Sequence, residues 1–191
     1  MKQLTLSAAL LAATLTPVSL AAAPWSLDKA HSSISFSVEH FGFSFVQGQF
    51  REFDATIDFD PEDITATQAT FTIDAASFDS GDQSRDDHVR TGDFLGVDAF
   101  PSIVFTSTSV EKTGDDTAKI TGDLTIRDTT LEVTFDAVLN KIGASPFNPA
   151  QQIAGFTVTG EIDRTNFGVD TYAPNIGAVM PVTINFEMSP S

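Results

Sequence analysis

Few residues in this chain could do acid–base or metal chemistry. Histidine occurs three times, at His31, His40 and His88, and cysteine is absent. Without cysteine there is no disulfide framework, thiolate metal site or thiol nucleophile. His31 and His40 fall on one alternating segment, which at the rise of a strand separates them by about 30 Å. Their parity is also opposite, so they cannot ligate one ion, and no metal site is expected. Asp86 and His88 are close in sequence, and a carboxylate can orient an imidazole. That makes a small hydrolase or isomerase using Asp86 and His88 one alternative reading. Against it, Ser84–Arg90 reads as a short helix capped by Ser84, and on a helix residues i and i+2 do not face each other. No Gly-x-Ser-x-Gly elbow, His-Glu-x-x-His helix motif or glycine-rich phosphate loop occurs. Asp86-Asp87 and Asp115-Asp116 read as solvated turns.

Phenylalanine is the unusual component. The chain has 17 Phe but only Trp25 and Tyr172 as other aromatics. Phe rings are large and carry no donor that needs a partner when buried. Such a composition suits an extensive hydrocarbon interior, either packed solid or shaped as an apolar pocket, the usual form of a small-molecule site. A formal charge of −16 excludes a nucleic-acid footprint, which requires a basic surface.

The elements that must position these rings are strands. Apolar and polar residues alternate through most of the chain, the signature of half-buried strands. His31–His40 places Ile34, Phe36 and Val38 on one side. Phe43–Phe59 is long and changes parity between Phe50 and Phe53, which predicts a bulge that bends it. Gln68–Ala75 and Ser102–Val110 follow. Ala118–Ile126, Leu131–Leu139, Phe156–Ile162 and Val182–Met188 complete a set of eight. The helix lies between the third and fourth. Eight strands with one apolar face each can close into a barrel, which removes exposed edges and can hold one small ligand. The expectation is an all-β, eight-stranded antiparallel barrel. A membrane barrel would carry its apolar face outward and need Trp and Tyr girdles at both interfaces. One residue of each kind does not supply two girdles, so no membrane span is expected.

Residues 1–21 read as a secretory signal peptide: Lys2, a short apolar core from Leu4 to Leu15, Pro17, then a small-residue tail. Ser19 and Ala21 place cleavage after Ala21, leaving residues 22–191 as one domain. Export to the periplasm is the corresponding expectation. It removes the protein from ATP and NAD, and it makes the unused disulfide chemistry more telling.

Several segments resemble the YceI-like family of exported lipid-binding proteins. The opening Trp25-Ser26-Leu27-Asp28 with His31–Val38 is similar to the family's first strand, as are His40-Phe41-Gly42 and Gly48-Gln49-Phe50. The strongest match is Arg85-Asp86-Asp87-His88-Val89, with Asp93-Phe94-Leu95 and Phe100–Phe105. Gly122–Ile126 and Ile162–Val169 complete a resemblance that runs from about Trp25 to Met188. Two positions depart from it. Arg127-Asp128 stands where the family usually has His-Gly, and Asn175-Ile176-Gly177-Ala178 stands where it tends to be acidic. The resemblance implies a lipocalin-like barrel whose long apolar pore holds an isoprenoid or other lipid chain, a non-catalytic role, and often a homodimer.

Together these readings predict an exported carrier or scavenger of an amphiphilic lipid, such as an isoprenoid quinone or prenyl phosphate, with no other cofactor. The expected pore lining is Phe36, Val38, Phe45, Phe71, Phe105, Leu124, Phe135, Phe156, Ile184 and Phe186. Arg85, His88, Arg90 and Arg164 are the candidates to meet a polar head. Arg85 could instead hold the helix, and Arg164 could pair with a neighbouring Asp. A barrel filled by its own rings, serving as a scaffold module, is the remaining alternative.

Overall fold

The computed structural model describes residues 23–191; the leader expected at residues 1–21 lies outside them. Ten antiparallel strands form one sheet that closes on itself. They are β1 (Ala23–His40), β2 (Ser44–Phe50), β3 (Phe53–Phe59), β4 (Gln68–Asp74), β5 (Phe78–Asp79), β6 (Ser102–Lys112), β7 (Thr117–Ile126), β8 (Thr129–Ala144), β9 (Gln152–Asp163) and β10 (Val179–Pro190). Pairing of β1 with β10 closes the sheet. The two-residue β5 only extends the edge of β2, and β2 and β3 are the halves of one bent strand. The result is the eight-stranded barrel that the alternation predicts.

The bend has a more specific form than a single bulge. Phe50 and Phe53 are both buried, and Arg51 and Glu52 between them are exposed. The ladder stops there, and the two halves pair with different parts of β1: Ile34–His40 with β2, and Ala23–Trp25 with β3. Long β1 reaches both because it bulges. Its register against β10 jumps from Asp28↔Glu187 to Ser33↔Asn185. The sequence reading began this strand at His31 and so did not include its first half.

One short helix, α1 (Gln83–Arg90), lies in the connection from β4 to β6, as expected. Its cap is Asp82, not Ser84: the Asp82 carboxylate accepts the Arg85 N–H at 2.9 Å. A carboxylate there satisfies an orphan N–H and suits the positive end of the helix.

The apolar rows face inward, and polar pairs occupy the outer wall. On β7 and β8, Thr121 bonds Thr134 and Thr125 bonds Thr130, each at 2.8 Å between register partners. Lys119 reaches Asp136 at 2.8 Å on the same face. Such cross-strand pairs belong to a wall that faces water, the reverse of a lipid-facing strand.

The antiparallel order sorts the connections into two ends. Residues 41–43, 75–101, 127–128 and 164–178 share one end, here called the helical end. Residues 60–67, 113–116 and 145–151 share the other.

Candidate functional site

The barrel encloses a cavity of about 610 Å³, within the range of small-molecule pockets. Nine of the ten expected lining residues are in its wall: Phe36, Val38, Phe71, Phe105, Leu124, Phe135, Phe156, Ile184 and Phe186. Phe45 is not. The turn after His40 sets the pairs Val38↔Val46 and Glu39↔Phe45, so Val46 faces the lumen and Phe45 faces out. The solidly filled barrel is likewise not what is observed.

Why the rings leave space is a matter of packing between neighbouring strands. Gly48, the register partner of Phe36, has its missing side chain occupied by that ring: a Cβ there would lie 2.7 Å from Phe36 Cζ. Gly122 does the same for Phe105, whose Cζ would be 2.6 Å away, and Gly160 does it for Phe135. A glycine inside a strand marks a close approach of this kind. Each ring lies back against the barrel wall. Edge-on contacts hold the rings there, including Phe105 with Phe135 at 5.6 Å and Phe59 with Phe156 at 5.5 Å, while Phe156 stacks on Phe186 at 5.2 Å. The strand-interior glycines were the available sequence signal for an open lumen, and the reading by hydrophobic parity passed over them.

Polar groups border the lumen at its two ends. At the helical end are Glu39, His40, Asp82, Ser84, Arg85, His88, Arg164 and Tyr172, and at the opposite end Thr67, Asp115, Asp116 and Thr117. The Thr67 hydroxyl is buried with no hydrogen-bond partner among the described residues.

The four candidate cations differ in what they already hold. Arg164 is buried and donates to four backbone carbonyls of the β9–β10 connection: Gly177 at 2.9 Å, Val169 at 2.5 Å, Thr171 at 3.2 Å and Ile176 at 2.7 Å. Desolvation on burial lowers its pKa, opposed by the charges of Asp170 and Asp163. It is a clamp on that connection, held by carbonyls instead of the Asp pairing that the sequence suggested. Arg90 lies outside the cavity wall and donates to the carbonyls of Ala76 at 2.8 Å and Phe78 at 2.6 Å, and to Asp87 at 3.2 Å. Arg85 reaches the cavity and holds Ser80 through its hydroxyl at 2.7 Å and its carbonyl at 3.0 Å. His88 also reaches the cavity. It stands edge-on to Phe94 at 5.2 Å and lies 3.4 Å from the Asp93 carboxylate.

The Asp86–His88 dyad is not assembled. Asp86 is buried, and one of its oxygens accepts both the Ser80 N–H at 2.9 Å and the Ser80 hydroxyl at 2.5 Å. It ties the start of the helix to β5, and the carboxylate beside His88 is Asp93 instead. Away from the lumen, one group among the described residues brings three ligand-type atoms together. Asp28, His31 and Glu187 lie within 4.8 Å of one another at the β1 bulge, where His31 Nδ1 meets Asp28 at 2.9 Å. Of the two histidines weighed together from sequence, His31 belongs to this group and His40 does not.

A closed antiparallel barrel with an apolar lumen and a short helix at one end defines a lipocalin-like class of fold. Within that class the chain belongs to the YceI-like family, whose domain model matches residues 25–188. A UPF0312 protein of Staphylococcus aureus (strain MSSA476) is 38% identical over 167 residues, covering 86% of this chain and 94% of that protein. Among solved structures, Burkholderia cenocepacia BcnA superposes with a TM-score of 0.76 at 25% identity, covering 84% of this chain and 98% of that one. The Campylobacter jejuni YCEI protein does so with a TM-score of 0.72 at 29% identity, covering 87% and 97%. A polyisoprenoid binding domain from Saccharophagus degradans shares the fold, with a TM-score of 0.64 at 13% identity, covering 88% and 99%.

Proposed function

We propose that this protein is an exported, periplasmic carrier or scavenger of an amphiphilic lipid with a long prenyl-type chain. The observation that carries the reading is the apolar cavity of about 610 Å³, kept open by rings that lie against glycines. Burying a hydrocarbon chain contributes about 0.8 kcal/mol for each methylene removed from water, so a long chain binds without strong polar contacts. Membership of a family that includes lipid-binding barrels supports the same reading, as does the fold shared with a domain that binds polyisoprenoid.

The cations bear on the head. Arg164 and Arg90 direct their donors to backbone carbonyls. An anionic head would have to be met by Arg85 and His88, which already hold Ser80 and adjoin Asp93. This favours a neutral head, such as a quinone, over a prenyl phosphate. The test is mass spectrometry of an organic extract of the protein purified from its own host without detergent. Recovery of a neutral isoprenoid in near-stoichiometric amount is expected. An empty extract, with no uptake of isoprenoid or fatty-acid probes, overturns the reading.

A further inference from the structure

The chain uses phenylalanine 17 times and tyrosine once. That tyrosine, Tyr172, stands at the rim of the lumen. It reaches the cavity at the helical end yet is 56% exposed, so its ring lies between the apolar interior and water. A phenol suits that place, having an apolar body and a polar tip. Two further rings back it. His88 and Phe94 meet edge-on at 5.2 Å, and their centroids lie 6.3 Å and 6.2 Å from that of Tyr172. All three residues reach the cavity. The backbone at Tyr172 is held in an unusual state. Its φ of 60° is left-handed, an outlier for a bulky side chain. The turn around it is tied down on several sides. The Thr171 carbonyl accepts from Arg164 at 3.2 Å, the Thr171 hydroxyl donates to the Asp93 carbonyl at 2.5 Å, and the Tyr172 carbonyl accepts the Ile176 N–H at 2.9 Å. Such strain persists only where the surroundings impose it, and it gathers at ligand clamps. Among the described residues Tyr172 forms hydrogen bonds through its backbone alone, which leaves the phenol free to donate.

We propose that Tyr172, backed by His88 and Phe94, is the head-group subsite of the lumen, and that it selects a planar ring bearing a neutral acceptor oxygen, such as a quinone-type carbonyl. This rests on the lipid-carrier reading above and adds to it which end holds the head and which donor meets it. The chain then runs from Tyr172 down the Phe-lined lumen toward the opposite end. Ring surface and charge set the kind of head. A planar head stacks on an aromatic face, which a linear head cannot do. The phenol donates one hydrogen bond, and a carbonyl oxygen accepts it. An anionic head is disfavoured there. The carboxylates of Glu39 and Asp82 line the same end, Asp93 adjoins His88, and Arg85 and Arg164 direct their donors to Ser80 and to backbone carbonyls. The tied-down turn holds Tyr172 in place before the ligand arrives, so little further ordering opposes binding.

The test is titration of the ligand-free protein with three probes of equal carbon number: decylbenzoquinone, decylbenzene and hexadecan-2-one. The first has ring and carbonyls, the second the ring alone, the third a carbonyl without a ring. The wild type is expected to bind the quinone most tightly. Tyr172→Phe keeps the ring and removes the donor. It should weaken the quinone by about fivefold, the worth of one hydrogen bond, and leave decylbenzene unchanged. Unchanged thermal unfolding shows that the variant is folded. A quinone bound no more tightly than decylbenzene or the ketone overturns the proposal. So does a Tyr172→Phe variant that binds the quinone like wild type, which would place the head elsewhere. A loss shared equally by quinone and decylbenzene also overturns it, since that marks a structural role for the hydroxyl. In each of these outcomes the probes still bind and the carrier reading stands. Binding of none of the three overturns the carrier reading, and this subsite with it.

Discussion

Phe36 on β1 and Gly48 on β2 are register partners, and the Phe36 ring occupies the space that a side chain at Gly48 would fill. A ring likewise fills the side-chain space of a glycine on the neighbouring strand where Phe105 meets Gly122 and Phe135 meets Gly160. It explains how a barrel rich in Phe remains hollow. A ring that can lie back over a glycine does not have to cross the lumen.

Gly48→Val should therefore push the Phe36 ring inward. Overpacking of this kind costs about 1–3 kcal/mol, and the larger effect should be on binding, with at least a tenfold loss of affinity for a hydrocarbon probe. Denaturant unfolding and probe titration measure the two effects separately. An unchanged affinity would show that the ring does not control the lumen.

Arg164 should be a stability residue before it is a ligand residue. Arg164→Met strands four carbonyl acceptors of the β9–β10 connection. Its expected cost is about 3 kcal/mol or more, a fall in melting temperature of roughly 6–12 °C for a chain of this size. Arg164→Lys should not rescue it, because an ammonium group cannot reproduce the guanidinium fork. Calorimetry decides, and a variant as stable as wild type would contradict the clamp.

The head preference predicts a simple ranking. For prenyl ligands of equal length, a neutral head should bind at least as tightly as a phosphate. Affinity should rise with each methylene until the lumen is full and then level off. Displacement titrations against one fluorescent probe give both trends. Phosphate ligands that bind much more tightly, with strong salt dependence, would point to a cationic head site.

Asp28 and His31 predict a pH window. The hydrogen bond and charge of Asp28, with the charge of Glu187, raise the His31 pKa. The hydrogen bond to His31, with backbone N–H donors, lowers that of Asp28 against desolvation. The stabilisation from His31 is full below its ordinary pKa of about 6.5 and is lost as pH rises through the raised value. That from Asp28 is full above its ordinary pKa of about 3.9 and is lost as pH falls through the lowered value. The melting-temperature difference between wild type and His31→Ala should peak between these limits and shrink on either side. A difference independent of pH would dissociate the pair from stability.

Much of the barrel was legible because inward side chains recur with period two, and that period survives in Ile34, Phe36 and Val38 on β1, in Phe71 and Ile73 on β4 and in Leu124 and Ile126 on β7. Phe45 was misplaced because an aromatic residue beside a turn says nothing of which neighbour the turn points inward; the pair Val38↔Val46 decides it. The helix cap moved from Ser84 to Asp82 because both are good caps and only tertiary geometry chooses. The work of Arg164 was hidden for a different reason. Its partners are backbone carbonyls between Val169 and Gly177, and no side-chain type in the sequence marks them. The β1 bulge left no parity signal either, since residues 29–32 are polar or small on both sides.

Trp25 offers the most direct measurement of the central claim. It is the only tryptophan, is buried, and packs edge-on against Phe59 at 5.3 Å. Phe59 in turn lines the cavity beside Phe156. A prenyl or acyl chain carrying a short-range quencher should enter the lumen and extinguish Trp25 emission saturably at one ligand per protein, and Gly48→Val should abolish the effect. Emission that is unaffected at high ligand concentration, or that falls linearly without saturation in wild type and Gly48→Val alike, would contradict a lipid-holding barrel.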